Sequence, residues 1–558
     1  MTEPLFPWQM HYPSDVPFSL SYPSVPLYEF LLGSAREYPN AEALFFMGKR
    51  ITYEQLRNDC FRFAAALVRL GVQRGDRVAI MLPNVPQSVI AYYGTLMAGA
   101  VVVQTNPLYT ERELMHQLVD AEVETIICLD LLYARVENVR NHTPLRRILV
   151  TGIPDYLPLG KRLLYPLVQR KARPPRIPYN AENCVYAFVD LLRKEYPDFT
   201  PVSVTSDDLA VLQYTGGTTG VAKGVMLTHA NLVANVLQCR AWFSRSRLAG
   251  ERFLGAVPFF HVYGMTVVMN FATHLAASII LVPRFEVSQI LKLVDKQKPT
   301  VFPGAPTMYV GLLNHPDARA YDLSSIQACI SGSAPLPIEV QQAFERLTNG
   351  KLVEGYGLTE CSPVTHANPI WGRQVIGSIG VPWPDTECRI VDLETGEECM
   401  PGEIGELCIR GPQVMKGYWK REEETKASFQ DGWFRTGDIA RMDEAGYFYI
   451  VDRKKDIIIA GGFNIYPREV EEVLYEHPAV REAAVVGIPD AYRGETVKAF
   501  VVVREDQLLT EADLNQFCRE RLAAFKVPHV YEFRTDLPKT AVGKILRRTL
   551  AEEAKEEE

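Results

Sequence analysis

The chain has 558 residues, 47% apolar and 23% charged, with a formal net charge of −8. That is an ordinary globular composition, long enough for about two to four structural units. The acidic balance argues against nucleic acid as a partner, because neutralising a phosphate backbone takes a basic surface, but it leaves room for a nucleotide held in a local cradle.

Met1 to Pro13 has neither a basic start nor an apolar core, so no secretory signal is expected. Five prolines within residues 1–25 predict an extended arm packed on the body. Apolar spacing then predicts a helix over Tyr53–Leu70, a strand over Arg77–Leu82, a helix over Gln87–Met97 and a strand over Val101–Gln104. This alternation implies an α/β fold of parallel sheets covered by helices.

Residues 155–176 break the rhythm. Lys161, Arg162, Arg170, Lys171, Arg173 and Arg176 stand among Leu163, Leu164, Tyr165, Leu167 and Val168. Two readings stay open, a surface for anionic lipid and a solvated excursion; Pro158 and Pro166 count against a clean amphipathic helix.

The most apolar stretch, Thr266–Val282, contains Asn270, Thr273 and His274 and is shorter than the roughly 20 residues of a spanning helix. Ten cysteines, with no CxxC pair and none near a histidine at zinc-ligand spacing, predict reduced thiols. The expectation is a soluble cytoplasmic protein, with peripheral contact at the inner face of the membrane as the alternative that residues 155–176 leave open. Oligomeric state is not legible, and a homodimer stays open.

Near residue 450 the pattern changes. A strand over Gly446–Ile450 leads into the charged run Asp452-Arg453-Lys454-Lys455-Asp456, expected as a poorly packed hinge or a surface turn. Beyond it a helix over Pro467–Glu476, strands over Glu482–Gly487 and Lys498–Val503, and a helix over Glu511–Leu522 predict a small α+β unit. The expected division is residues 1–450, a hinge over 451–456, and 457–558. The acidic end, Ala551–Glu558, is expected to be solvated.

The strongest local signal follows the strand Leu209–Leu212. Tyr214, Thr215, Gly216, Gly217, Thr218, Thr219 and Gly220 precede Lys223, with a second strand over Val225–Leu227 and Thr228 placed to cap a helix. Glycines let the backbone approach an anion and turn its N–H groups inward, threonines add hydroxyls, and the lysine adds charge. Ala222 precedes the lysine where a Walker loop needs glycine, and GxGxxG is absent.

This loop resembles the signature of the adenylate-forming (AMP-binding) superfamily, which includes acyl-CoA synthetases, adenylation domains of peptide synthetases and beetle luciferases. The later motifs occur in the family's order, and the likeness spans about residues 25–548. It implies a large N-terminal domain of mostly parallel sheets with a β-rich subdomain, followed by a small mobile α+β domain. It also implies ATP, magnesium and coenzyme A as cofactor and co-substrates.

Residue by residue, the resemblance implies that Gly332, Ser333 and Ala334, with Gly355, Tyr356 and Gly357, enclose the adenine. Thr359 meets the α-phosphate. Glu360, with Thr215, holds magnesium, for which carboxylate and hydroxyl oxygens are suitable donors. Asp438 accepts from the ribose hydroxyls, Arg453 also contacts the ribose, and Lys455 is the pivot of the small domain. Gly461 and Gly462 line the thiol channel. Lys544, in Pro538-Lys-Thr-Ala-Val-Gly-Lys544, supplies charge to the adenylation step.

Residues 253–275 contain no Asp, Glu, Lys or Arg. In the resemblance they border the acyl pocket, and the lack of an aspartate there disfavours an amino-acid substrate. An apolar acid fits, since each buried CH₂ contributes about 0.8 kcal/mol. His261 is similar to a residue near the acyl carboxylate; a packed loop histidine is the other reading. The sequence most resembles bacterial long-chain fatty acid–CoA ligases, with medium-chain or aryl acids, or a luciferase-like monooxygenase, as alternatives.

Overall fold

Short runs such as Arg77–Met81 and Thr125–Leu129 bury nearly every residue, which only strands covered on both faces allow. The computed structural model describes residues 6–168, 176–196, 199–215, 222–460, 463–490, 493–505, 507–540 and 543–556. Within them these strands join an eight-stranded sheet in the order Gly417–Tyr418, Lys223–Thr228, Leu209–Thr215, Val101–Gln104, Arg77–Met81, Thr125–Leu129, Arg147–Thr151 and Val185–Ala187. The last six are mutually parallel. The two at the other edge run antiparallel to their neighbours.

Helices cover the sheet. Tyr53–Arg69 starts at Thr52, whose hydroxyl accepts from the Gln55 amide while the Gln55 side chain returns the bond. A second sheet is formed by Arg252–Gly255, Ser278–Leu281, Glu42–Phe46 and Lys49–Thr52, and by Ala328–Ser331, Lys351–Gly357, Val364–Ala367 and Val381–Pro382. Bridges from Val301 to Phe253 and Ala328 join the two halves. The third layer is antiparallel, built from Glu387–Val391, Gly405–Arg410, Phe429–Gln430, Trp433–Met442 and Phe448–Arg453. The N-terminal arm packs as expected: Trp8 is buried edge-on against Phe448, and the Tyr12 hydroxyl donates to the Pro382 carbonyl at 2.6 Å.

The small domain has its own sheet, with Gly494–Val503 flanked by Val480–Asp490 on one side and Val530–Arg534 on the other. Separate apolar clusters fill its two faces, one including Ile458, Val470 and Leu514, the other Phe500, Leu537 and Leu550. Helices Pro467–Tyr475, Glu511–Arg519 and Arg547–Glu556 cover them.

Three expectations need correction. The charged run is not uniform: Lys454 and Lys455 are exposed in the turn Lys454–Asp456, as a surface turn would have it, but Asp452 is buried within the strand Phe448–Arg453, for a reason given below. The glycines on either side of Tyr356 suggest a loop following a strand, yet Gly355 to Gly357 is the end of the strand itself, paired antiparallel with Val364–Ala367. Pro158 and Pro166 do not prevent a helix over Leu159–Val168; Pro158 precedes its first turn, where no intrahelical N–H bond is lost. Among the described residues no helix is long and apolar enough to cross a membrane, and all ten cysteines are free.

Candidate active site

The hairpin of Leu209–Thr215 and Lys223–Thr228 pairs Thr215 with Lys223 and Tyr214 with Gly224. It opens where the phosphate cradle was expected. Gly216, Gly217, Thr218, Thr219 and Gly220 lie outside the described residues. Tyr214 directs its hydroxyl to Asp120 at 2.6 Å, so its side chain anchors the hairpin and only its backbone borders the opening. Thr228 caps the following helix through the Asn231 amide, as expected.

Lys223 forms an ion pair with Glu424 and lies 5.4 Å from the centre of the Tyr418 ring. The Tyr418 hydroxyl donates to Glu360 Oε1 at 2.8 Å. Glu360 sits in the short turn Thr359–Cys361 beside Thr359. Desolvation raises its pKa above the ordinary carboxylate value, opposed by the Tyr418 hydrogen bond and the Arg453 charge.

A second group gathers around Asp438. Antiparallel pairing sets Asp438 opposite Arg453, whose Nε lies 3.2 Å from Asp438 Oδ1. The Tyr356 hydroxyl donates to Oδ2. A carboxylate has about four lone-pair directions, so Asp438 can hold both partners and still accept from a ligand. The flanking glycines are set by close packing. A Cβ on Gly355 would lie 2.7 Å from Ile330 Cγ2, and one on Gly357 would lie 2.2 Å from the Pro363 carbonyl oxygen. Gly332 stands over the Tyr263 ring and Ser333 takes a positive φ of 71° at the end of the strand Ala328–Ser331, with Ala334 next in the turn.

Lys544 comes from the small domain. Its segment is tied by the Lys544 amide to Thr540 Oγ1 at 3.1 Å and by the Leu546 amide to the Pro538 carbonyl at 2.8 Å. Gly543, at φ +80°, approaches the large domain so closely that a Cβ would lie 2.5 Å from Thr307 Oγ1. Solvent reaches Lys544, yet crowding by protein, together with the Arg453 charge, lowers its pKa to about 8. Asp438 acts in the opposite direction.

His261 feels the same lysine. Desolvation and then Lys544 hold its pKa down to about 4, so the ring is neutral near pH 7. Its Nδ1 accepts from the Tyr263 amide at 3.3 Å, which leaves the proton on Nε2. Behind it, Gly264–Asn270 is fully buried. Lys455 lies exposed in the turn Lys454–Asp456, close enough to Asp438 and Arg453 to feel both charges. Gly461 and Gly462 fall outside the described residues.

The same arrangement of two domains recurs in proteins of known sequence and structure. A family profile described as AMP-binding enzyme matches residues 32–419, and one described as AMP-binding enzyme C-terminal domain matches residues 469–544. The chain belongs to the AMP-binding enzyme family.

Among its relatives in that family, a long-chain-fatty-acid–CoA ligase of Bacillus subtilis (strain 168) is 54% identical over 99% of this chain and 98% of its own. ATP-bound MatB from Rhodopseudomonas palustris is 31% identical and aligns over 95% of this chain and 99% of its own, with a TM-score of 0.83. Apo MatB, with 32% identity and the same coverage, aligns with a TM-score of 0.73. The present chain is thus closer in shape to ATP-bound than to apo MatB.

Several residues around the site of this AMP-binding enzyme were not singled out from sequence. Tyr418 and Glu424 reach it from the edge strand Gly417–Tyr418 and the helix Glu422–Ser428. Asn84 pins the approach to His261, donating to the Gly255 and Val257 carbonyls at 2.9 and 2.8 Å and accepting from the Phe259 amide at 2.8 Å. Gln213 donates to the Phe260 carbonyl at 2.8 Å. Gln213 had a usable signal, its place directly before Tyr214; the others had none.

Proposed function

We propose that this chain activates a long-chain fatty acid with ATP, giving acyl-AMP and pyrophosphate, and then transfers the acyl group to coenzyme A, releasing AMP. The observation that carries this reading is Lys544 of the small domain standing among Asp438 and His261 of the large one and Arg453 of the hinge, with the adjacent Gly543 against Thr307. The relative's name and the uncharged stretch 253–275 favour a long apolar acid.

In the first half-reaction a carboxylate oxygen attacks the α-phosphorus and pyrophosphate leaves. Two anions must meet, and Lys544 offsets their repulsion and the charge that develops in the transition state. The neutral His261 offers Nε2–H to the acyl carboxylate. Lys223 exchanges Glu424 for the terminal phosphates, and Thr359 faces the α-phosphate. Asp438 and Arg453 hold the ribose, with Gly332, Ser333, Ala334 and Tyr356 around the adenine. The oxygen donors of Glu360 and Thr215 suit magnesium, which when bound would shield the phosphate charge.

The second half-reaction needs a thiol where Lys544 now stands. We divide the chain into residues 1–450, a hinge over 451–456 and 457–558, with Lys455 as pivot. Rotation withdraws Lys544 and brings Gly461 and Gly462 to the thiol's path.

The test is palmitate-dependent ATP–pyrophosphate exchange, and separately the conversion of supplied palmitoyl-AMP to palmitoyl-CoA. Lys544→Ala is expected to cost at least about 100-fold in exchange, as for loss of a transition-state charge partner, and far less in the second reaction. Equal losses would reject the role. Exchange only with medium-chain or aryl acids would move the substrate class, and oxygen uptake with light emission would favour a monooxygenase.

A specific observation supports a membrane contact as well. In the helix Leu159–Val168, Leu159 and Leu163 are each 79% exposed and Leu164 is 59% exposed, beside Lys161 and Arg162. Leu159 and Leu163 share one face at i, i+4 spacing, as in a helix lying in a bilayer interface. Arg170, Lys171 and Arg173 lie outside the described residues. Leu159→Asp with Leu163→Asp should abolish binding to phosphatidylglycerol vesicles; unchanged binding would reject the contact.

A further inference from the structure

Asp452 is a carboxylate with only 1% of its side chain exposed, and a buried charge persists only with partners. It has three. Oδ1 accepts from the Arg453 amide at 2.7 Å and from Arg547 Nη1 at 3.1 Å. Oδ2 accepts from the Arg468 amide at 2.6 Å, in the first turn of the helix Pro467–Tyr475, where a free N–H and the helix dipole favour an anion.

Two of these partners, Arg468 and Arg547, belong to the small domain. Asp452 itself lies in the strand Phe448–Arg453, which pairs with the large-domain strand carrying Asp438. Arg547 opens the last helix of the small domain and is fastened there by Glu471, which accepts from Nε at 2.9 Å and also from Nη2. Glu471 is itself held by the Val485 amide at 2.8 Å. Arg547 reaches Asp456, in the turn between the domains, at 3.4 Å. Arg547 is three residues beyond Lys544. The segment joining them is held to the small domain at Pro538, so whatever fixes Arg547 also fixes the lysine.

We propose that Arg547 is a positioning residue for adenylation: its ion pair with Asp452 clamps the small domain in the orientation that presents Lys544, and the pair opens for acyl transfer. The inference rests on the two-step reading above and extends it to a specific bond. When the small domain turns about Lys455, Glu471 travels with Arg547, while Asp452, paired through its strand with the large-domain sheet, stays behind. The guanidinium therefore keeps one carboxylate throughout and exchanges the other. The cap on the helix Pro467–Tyr475 is released in the same movement, so the clamp opens as one unit.

The experiment uses the full chain as wild type, Asp452→Asn, Arg547→Lys, Arg547→Gln and Lys544→Ala, each assayed for palmitate-dependent ATP–pyrophosphate exchange and for conversion of palmitoyl-AMP and coenzyme A. Asp452→Asn should lower exchange by about 10-fold or more, the effect of one charge-assisted hydrogen bond, while the second reaction stays within about 3-fold of wild type. Arg547→Lys should retain more exchange than Arg547→Gln. Trypsin should cleave Asp452→Asn after Lys454 or Lys455 faster than wild type.

Equal loss in both reactions, or full exchange with unaltered cleavage, would overturn the clamp. Asp452→Asn leaves the Arg547–Glu471 pair in place and decides the matter if Arg547→Gln does not fold. Full exchange by Lys544→Ala would instead remove the underlying reading of the lysine. Exchange lost by Lys544→Ala but kept by Asp452→Asn would remove the clamp alone.

Discussion

Tyr418 stands between Lys223 and Glu360, its ring 5.4 Å from the lysine ammonium and its hydroxyl 2.8 Å from the carboxylate. The two charged residues come from different strand ends, and this one phenol touches both. Tyr418→Phe keeps the ring beneath Lys223 and deletes the bond to Glu360, along with the hydroxyl's contact with Ser428. Hydrogen bonds to charged groups are worth about 1.5–3 kcal/mol. The KM for Mg·ATP in the exchange assay should therefore rise by about 10- to 100-fold, with thermal stability little changed. An unchanged KM would show that Glu360 is positioned without it.

The pKa of Lys544, lowered to about 8, sets a pH profile. The charged lysine is the active form, so kcat/KM for adenylation, which reports the free enzyme, should fall tenfold per pH unit above about pH 8. Lys544→Arg, whose guanidinium stays charged, should abolish that fall even if its plateau is lower. A fall at the same pH in Lys544→Arg would assign it to another group.

Glu354 predicts a pH-dependent stability. Desolvation at the end of the first half of the strand Lys351–Gly357 raises its pKa to about 7, against an opposing pull from Arg468 of the small domain; Glu472 adds to the rise. An acid with a native pKa above its unfolded value contributes fully below about pH 4.5, and that contribution is lost as pH rises through about 7. Relative to wild type, Glu354→Gln should gain about 3 kcal/mol between pH 4 and pH 8. Denaturant melts at both pH values check this, and a pH-independent difference would contradict it.

Gly357→Ala tests the packing origin of the glycines beside Tyr356. The added methyl would lie 2.2 Å from the Pro363 carbonyl oxygen, and overpacking of this kind costs about 1–3 kcal/mol. A drop in denaturant midpoint of that size is expected, together with weaker nucleotide binding as Tyr356 moves off Asp438. A stable variant with intact binding would show that the strand can shift.

What could be read from sequence followed how local each signal was. Thr228 capping its helix, the helix over Tyr53–Arg69 and the strand Val101–Gln104 depend on neighbours a few positions away, and their residue types suffice. Strand ends were underestimated where polar residues are paired through the backbone. Gln213, Tyr214 and Thr215 do not look like strand, yet they pair with Val225, Gly224 and Lys223. Lys223, Glu360, Asp438 and Lys544 stand out as candidates because each sits in a dense local motif. Tyr418, Glu424 and Asn84 do not, because each reaches the site through tertiary contacts. The buried state of Asp452 was hidden for the same reason: a run of charges signals solvent, and only the fold brings Arg547 from 95 residues away to neutralise it.

On the proposed exchange of Glu424 for phosphate, the pairing of Lys223 with Glu424 shapes how an anion is received. With an internal counter-anion already in place, arrival of a triphosphate is an ion exchange rather than a net neutralisation. Free orthophosphate, with less charge to offer, competes poorly against the tethered carboxylate, and added salt has little left to screen at that position.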